Sequence, residues 1–195
     1  MNGTRIILAS QSPRRKQLLE WAEIPFEVMV QSTAETWPPG MPIPNIPVHI
    51  AREKAIAVKQ KNDSLHDNNN IIIAADTVVV LKDAIIGKPA DREDALDILS
   101  RLSGNKHQVI TGVVLAKGEQ EIAFADTTDV WFHELSPEQI AFYVDKYKPY
   151  DKAGAYAIQE WIGVVGIKAI QGDFYNVMGL PVSRVVSELA NLIIG

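Results

Sequence analysis

Residues 71–81 read Ile-Ile-Ile-Ala-Ala-Asp-Thr-Val-Val-Val-Leu, the most apolar stretch of the chain, broken by one acid, Asp76. A run this rich in β-branched residues predicts a buried strand, and a buried strand needs a sheet and a core around it. With 195 residues, 47% of them hydrophobic and 22% charged, the chain has the material for that core. One α/β or α+β domain over residues 1–195 is the expectation, and disorder, collagen and a long coiled coil are disfavoured.

The same run places a carboxylate where burial costs several kcal/mol unless it is paired or metal-bound. Asp76 is therefore a candidate general base or metal ligand, and the plainer alternative is an Asp–Arg pair stapling the sheet. Glu35, just before the proline-rich stretch, is a candidate to complete an oxygen site for Mg²⁺ with Asp76, against the alternative of a solvated loop glutamate.

Arg5 to Ala9 predicts a first strand, and Ser12-Pro13 an N-cap followed by proline at the first helical position, opening a helix to about Ala22. The junction Ser10-Gln11-Ser12-Pro13-Arg14-Arg15 gathers two hydroxyls, two guanidinium groups and a helix N-terminus, a setting suited to phosphate oxygens. The alternative is an ordinary cap followed by solvated arginines. Lys54, Lys88 and Lys152 are further candidate cations, each of which taken singly reads as a surface lysine.

Phe26 to Val30 predicts a second strand, and five prolines from Pro38 to Pro47 an extended loop. A helix from about Pro47 to Gln60 carries Ile50, Ala51, Ala55 and Val58 on one side, and the polar run 61–70 reads as a mobile loop. Beyond the apolar strand, a turn at Lys82-Asp83 returns Ile85 and Ile86, and Asp91 caps a helix that stops at Ser103-Gly104. Strands are expected at about Gln108–Ala116 and Ile122–Phe132. A capping-box helix follows from Ser136, then a loop over Asp151–Ile158, a strand near Val164–Ile170 and a last helix from about Pro181 to Leu192.

Exclusions narrow the chemistry. With 19 Lys+Arg against 24 Asp+Glu, net charge −5, the chain is no general nucleic-acid coat. The absence of cysteine excludes disulfides, thiolate metal sites and cysteine nucleophiles. The apolar run Ile6 to Ala9 is too short for a signal-peptide core or a membrane span, so a soluble, unprocessed, cytoplasmic protein is expected. His49, His66, His107 and His133 have no metal-ligand spacing, no GxSxG elbow occurs, and Trp21, Trp37, Trp131 and Trp161 read as packing residues.

Taken in order, several blocks resemble the Maf family of nucleoside triphosphate pyrophosphatases, formerly described as septum-formation inhibitors. They are Ile7-Leu8-Ala9-Ser10-Gln11-Ser12-Pro13-Arg14-Arg15, Ala51-Arg52-Glu53-Lys54-Ala55, Ala75-Asp76-Thr77-Val78, Gly87-Lys88-Pro89 and His107-Gln108-Val109-Ile110-Thr111. Asp151-Lys152-Ala153-Gly154-Ala155-Tyr156-Ala157-Ile158-Gln159 and Val177-Met178-Gly179-Leu180-Pro181 continue the match. The resemblance implies an α/β fold similar to inosine triphosphate pyrophosphatase: an elongated, twisted mixed sheet flanked by helices, with a deep cleft, often in a homodimer.

It also implies cleavage of a nucleoside triphosphate to the monophosphate and pyrophosphate with Mg²⁺ or Mn²⁺, limiting incorporation of non-standard nucleotides. Asp76 matches the family's proton acceptor, and Arg14, Thr77 and Gln159 match positions tied to substrate choice. The residues' own chemistry agrees with that reaction, with Asp76 and Glu35 as candidates to hold the metal and Ser10, Ser12, Arg14, Arg15, Lys54, Lys88 and Lys152 as candidates to bind phosphate. The segment ending at Gln159 is similar to the branch acting on dTTP and UTP rather than the 7-methyl-GTP branch. Two departures stand out: Glu160-Trp161 where glycine commonly follows, and Ala34-Glu35 where many relatives carry an acidic pair.

A different class of function is a nucleotide-binding regulator of septum formation with little catalysis. A carboxylate kept beside a cationic pocket repels a triphosphate unless metal or chemistry needs it, which favours the enzyme. An inosine or xanthosine triphosphatase is a third reading, resting on fold analogy alone.

Overall fold

The computed structural model describes residues 4–62, 65 and 69–194, with no account of the side chain at 194. His66 and much of the polar run 61–70, namely residues 63, 64 and 66–68, lie outside the described residues. The strands are β1 (Arg5–Leu8), β2 (Glu27–Val28), β3 (Asn70–Leu81), β4 (Ala84–Ile86), β5 (Lys106–Lys117), β6 (Gln120–Phe132) and β7 (Ile167–Gln171). The helices are α1 (Pro13–Trp21), α2 (Ile46–Lys61), α3 (Arg92–Leu102), α4 (Pro137–Tyr147), α5 (Trp161–Gly166), α6 (Phe174–Met178) and α7 (Val182–Ile194).

Among the described residues, seven strands join one mixed sheet in the order β2-β1-β3-β5-β6-β7, with β4 paired to β3. β1 runs parallel to β2 and β3, whereas β3 with β4 and β6 with β7 are antiparallel. The fold is thus the mixed α/β class that the sequence predicts. Contacts divide the chain into two compact units: residues 1–76, 111–126 and 179–195, and residues 77–110 and 127–178.

In the first unit, β1 and β3 pair in register from Arg5 with Asn70 to Leu8 with Ile73. Because side chains alternate across a strand, Ile7, Ala9, Ile72 and Ala74 share one face and pack with Ala51, Ala55 and Val58 of α2. Alanines at 51 and 55 let the helix lie close to the sheet. The approach is close at Gly112 of β5, where a Cβ would stand 2.2 Å from Val48 N and 2.3 Å from Pro47 C. Ser12 caps α1 as expected, with Pro13 in its first turn. The proline-rich stretch ends in a 3₁₀ turn at Ile43–Asn45 that runs directly into α2, Pro47 being tolerated in the first turn.

In the second unit, Asp91 accepts from the Asp94 N–H at 2.9 Å to cap α3, and Ser136 with Gln139 forms the capping box of α4. Arg92 ties the two helices through both oxygens of Asp145, at 2.6 and 3.0 Å.

Three expectations need correction. The predicted strand near Val164–Ile170 is present over its later part as β7, but its first residues, up to Gly166, belong to the helix α5. The Glu160 carbonyl accepts from Gly163 and Val164 N–H, at 2.9 and 3.3 Å, which closes a helical turn. Ile162 and Gly166, four apart, are buried, while Val164 is 82% exposed, so packing at helical spacing overrides the β preference of the valines. The predicted strand Phe26–Val30 shrinks to two paired residues at the sheet edge, Glu27 and Val28, both exposed. Trp21 and Trp37, read as packing residues, are 58% and 40% exposed.

His107 is buried in an aromatic cluster, its ring centroid 5.2 Å from Phe132 and 5.4 Å from Tyr156, with Nε2 2.7 Å from the Tyr156 hydroxyl. Burial pushes its pKa down to about 4. An unfolded histidine titrates near 6.5. Between these values the unfolded chain binds the proton and the folded one does not, so stability is lost as pH falls from about 6.5 to about 4, by roughly 3 kcal/mol for this group. Denaturant melts across that range are expected to show the loss for the natural chain and a shallower one for His107→Gln, which keeps a partner for Tyr156 without the titration. Equal slopes would remove His107 as the cause.

Candidate active site

Asp76 lies in β3, the strand on which the sequence argument began, and its side chain is only 13% exposed. The charge is met by Lys54 from α2, whose Nζ lies 2.7 Å from Asp76 Oδ1 and 2.8 Å from Glu35 Oε1. Neither the Asp–Arg staple nor a solvated Lys54 is what the structure shows, since the Lys54 side chain is 16% exposed and its ammonium is bonded to Asp76. Charge-assisted bonds of this length fix both carboxylates on one cation. Glu35, in a segment without regular structure, is 48% exposed and gives this cluster its open side.

Two carboxylates aimed at one cation are a hard oxygen donor set, the kind that suits Mg²⁺ or Mn²⁺. No group of three or more acidic or imidazole ligands occurs among the described residues. A metal held here would complete its shell with phosphate oxygens and water, the habit of Mg²⁺ at nucleotide sites.

At the start of α1 the Ser12 hydroxyl serves as the cap, accepting from the Arg15 N–H at 3.5 Å. Arg15 turns inward: its guanidinium is buried, with Nε donating to the Gly179 carbonyl at 2.8 Å and Nη1 to the Ser10 hydroxyl at 3.1 Å. Burial lowers its pKa, partly countered by the charge of Asp76. Ser10 Oγ also accepts from the Ser12 N–H at 3.2 Å, so Ser10, Ser12 and Arg15 form one hydrogen-bonded knot under the first turn. Arg14 is half-buried on that turn.

The other sequence candidates belong to the second unit. Thr77 follows Asp76 on β3 and is half-buried. Lys88 is exposed in the turn after β4, and the Gly154 N–H donates to the Gly87 carbonyl at 3.0 Å, which fastens that turn to the Lys152 loop. Lys152 is not a surface lysine: its side chain is 10% exposed, with Nζ 2.8 Å from Asp151 Oδ1 and 3.7 Å from Glu160 Oε1. Gln159 is exposed on a turn in which the Glu160 N–H donates to the Ala157 carbonyl at 3.0 Å.

Sequence reasoning missed Tyr143, a residue of α4. Its ring is fully buried, and its hydroxyl donates to Glu160 Oε2 and accepts from the Ala157 N–H at 3.2 Å. The available signal was the residue type, since a buried tyrosine hydroxyl needs a partner.

A family model described as Maf-like protein matches residues 5–192, which span both units. The chain belongs to the Maf family. This Maf-family chain is 50% identical over 192 residues to a dTTP/UTP pyrophosphatase of Cytophaga hutchinsonii, covering 98% of this chain and 86% of that one. It is 48% identical over 186 residues to a dTTP/UTP pyrophosphatase of Parabacteroides distasonis, covering 95% and 94%. A dTTP/UTP pyrophosphatase of Bacteroides thetaiotaomicron is 46% identical over 189 residues, with 96% of each chain covered. The structure of the Staphylococcus aureus Ham1 protein aligns over 95% of this chain and 100% of that one at TM-score 0.49 and 16% identity, a likeness too distant to bear on the reaction. Among the described residues, no helix of this Maf-family chain is long and apolar enough to cross a membrane.

Proposed function

We propose that this protein hydrolyses dTTP and UTP between the α and β phosphorus atoms, giving the monophosphate and pyrophosphate. The observation that carries the reading is the pair of carboxylates, Glu35 and Asp76, held on one cation, in a chain whose relatives are dTTP/UTP pyrophosphatases by name.

A water attacks the α phosphorus, the bond from that phosphorus to the α–β bridging oxygen breaks, and pyrophosphate departs with that oxygen. Asp76 accepts the proton of the attacking water, and Lys54 and the β3 backbone hold the carboxylate in place for it. Glu35 and Asp76 would hold Mg²⁺ or Mn²⁺, which when bound polarises the phosphate and makes a better nucleophile of water. Ser10, Ser12, Arg14 and Arg15 at the start of α1, with Lys54, Lys88 and Lys152, take up the charge of the phosphate chain. For Lys88 and Lys152 this role rests on their charge and on the need for cations around the departing pyrophosphate.

Gln159 selects the base, with Thr77 and Arg14 as further determinants. A glutamine amide both donates and accepts, so it pairs with the N3–H and a carbonyl of uracil or thymine. Cytosine lacks that N3–H and leaves a polar group unpaired, which is how a site rejects an analogue. A cytoplasmic location, where triphosphates are consumed, and a homodimer complete the proposal.

Pyrophosphate release from dTTP, UTP, CTP, GTP, ITP and 7-methyl-GTP, with and without Mg²⁺, tests it. Metal-dependent turnover of dTTP and UTP is expected, and preference for a purine would overturn the base assignment. In Gln159→Ala the preference for UTP over CTP is expected to drop by on the order of tenfold or more. An unchanged preference would show that some other residue reads the base.

A further inference from the structure

The Gln159 turn is held by one hydroxyl at both of its ends. Tyr143 Oη accepts from the N–H of Ala157, two residues before Gln159, and donates to the carboxylate of Glu160, the residue after it. Tyr143 itself has no freedom to follow the turn: its ring is fully buried and stacks on Tyr147 at 5.0 Å and 24°. Glu160 is the N-cap residue just before α5, yet its carboxylate caps no N–H there and points instead to Tyr143 and the Lys152 ammonium. The turn also has a hard stop on its α5 side, since a Cβ on Gly163 would stand 1.7 Å from the Ile158 carbonyl oxygen. Gln159 alone in this stretch points its side chain outward, while Tyr156, Ala157 and Ile158 are buried.

We infer that Tyr143 and Glu160 are positioning residues for base selection, fixing the Gln159 amide for the pyrimidine of the substrate without touching it. The inference rests on the reading of Gln159 given above. The physical basis is preorganisation: an amide on an unpinned turn rotates to satisfy cytosine as readily as uracil, whereas a fixed amide discriminates. The negative charge at 160 is compatible with an anionic substrate because Lys152 and the Tyr143 hydroxyl already engage it.

Tyr143→Phe, which removes only the hydroxyl, and Glu160→Ala are to be compared with Glu160→Gln, which keeps an oxygen to accept from Tyr143. For each, kcat/KM is measured on UTP and CTP, alongside amide hydrogen exchange at Ala157 and a thermal melt. Tyr143→Phe and Glu160→Ala are expected to cut the UTP to CTP ratio by about tenfold, with faster exchange at Ala157 in the former, and Glu160→Gln to restore most of the ratio. A purely structural role would lower the melting temperature and leave the ratio alone, and that result overturns the inference. Gln159→Ala run in parallel separates the two failures. If it lowers the ratio while Tyr143→Phe and Glu160→Ala do not, positioning fails and base selection by Gln159 stands. If it leaves the ratio unchanged, base selection by Gln159 fails and the positioning role falls with it.

Discussion

Asp76→Asn is expected to lower pyrophosphate release from dTTP and UTP by on the order of 10³-fold, about 4 kcal/mol of barrier. The amide is nearly the same size as the carboxylate and fits the same place in β3, but it cannot accept the proton of the attacking water. Lys54 keeps its bond to Glu35 at 2.8 Å, so the ammonium is not left without a partner. The variant should therefore fold, and its melting temperature should stay within about 5 °C of the natural chain. Glu35→Gln removes a more exposed partner of the same cation and is the milder comparison. Activity in Asp76→Asn within about tenfold of the natural chain would exclude it as the proton acceptor.

Gly112→Ala is expected to destabilise the fold by about 4 kcal/mol, seen as a shift of the denaturant midpoint and a fall in melting temperature of roughly 10 °C. The methyl would meet backbone, not the end of a flexible side chain: Val48 N at 2.2 Å, Pro47 C at 2.3 Å and Pro47 O at 2.6 Å. The first turn of α2 would have to lift from β5, and α2 carries Lys54, so activity should fall with stability. Gly87→Ala is the control, because nothing stands within 4 Å of the added atom, and it should cost less than about 0.5 kcal/mol. Equal stability of the two variants would mean that the close approach of α2 to β5 yields freely.

The departure at 160 shows how a sequence-level surprise acquires a structural meaning. As letters, Glu160-Trp161 adds charge and bulk beside Gln159. In the fold, the carboxylate is engaged by Tyr143 and Lys152, and the Trp161 ring packs edge-on to Phe142 at 4.8 Å.

What the sequence by itself determined was everything carried by short-range signals. The caps at Ser12, Asp91 and Ser136, the strand 71–81 and the acid within it were legible because capping and alternation are settled within a few residues. The family blocks were legible for the same reason, being contiguous. Only the tertiary structure decided which cations meet which carboxylates. Lys54 reaches Glu35 across 19 residues and Asp76 across 22, and Arg15 reaches Gly179 across 164. It also decided that 161–166 is helix, because burial of Ile162 and Gly166 outweighs the local preference of two valines. Partner choice over such separations depends on how elements pack, and packing is a property of the whole chain that no window of residues contains.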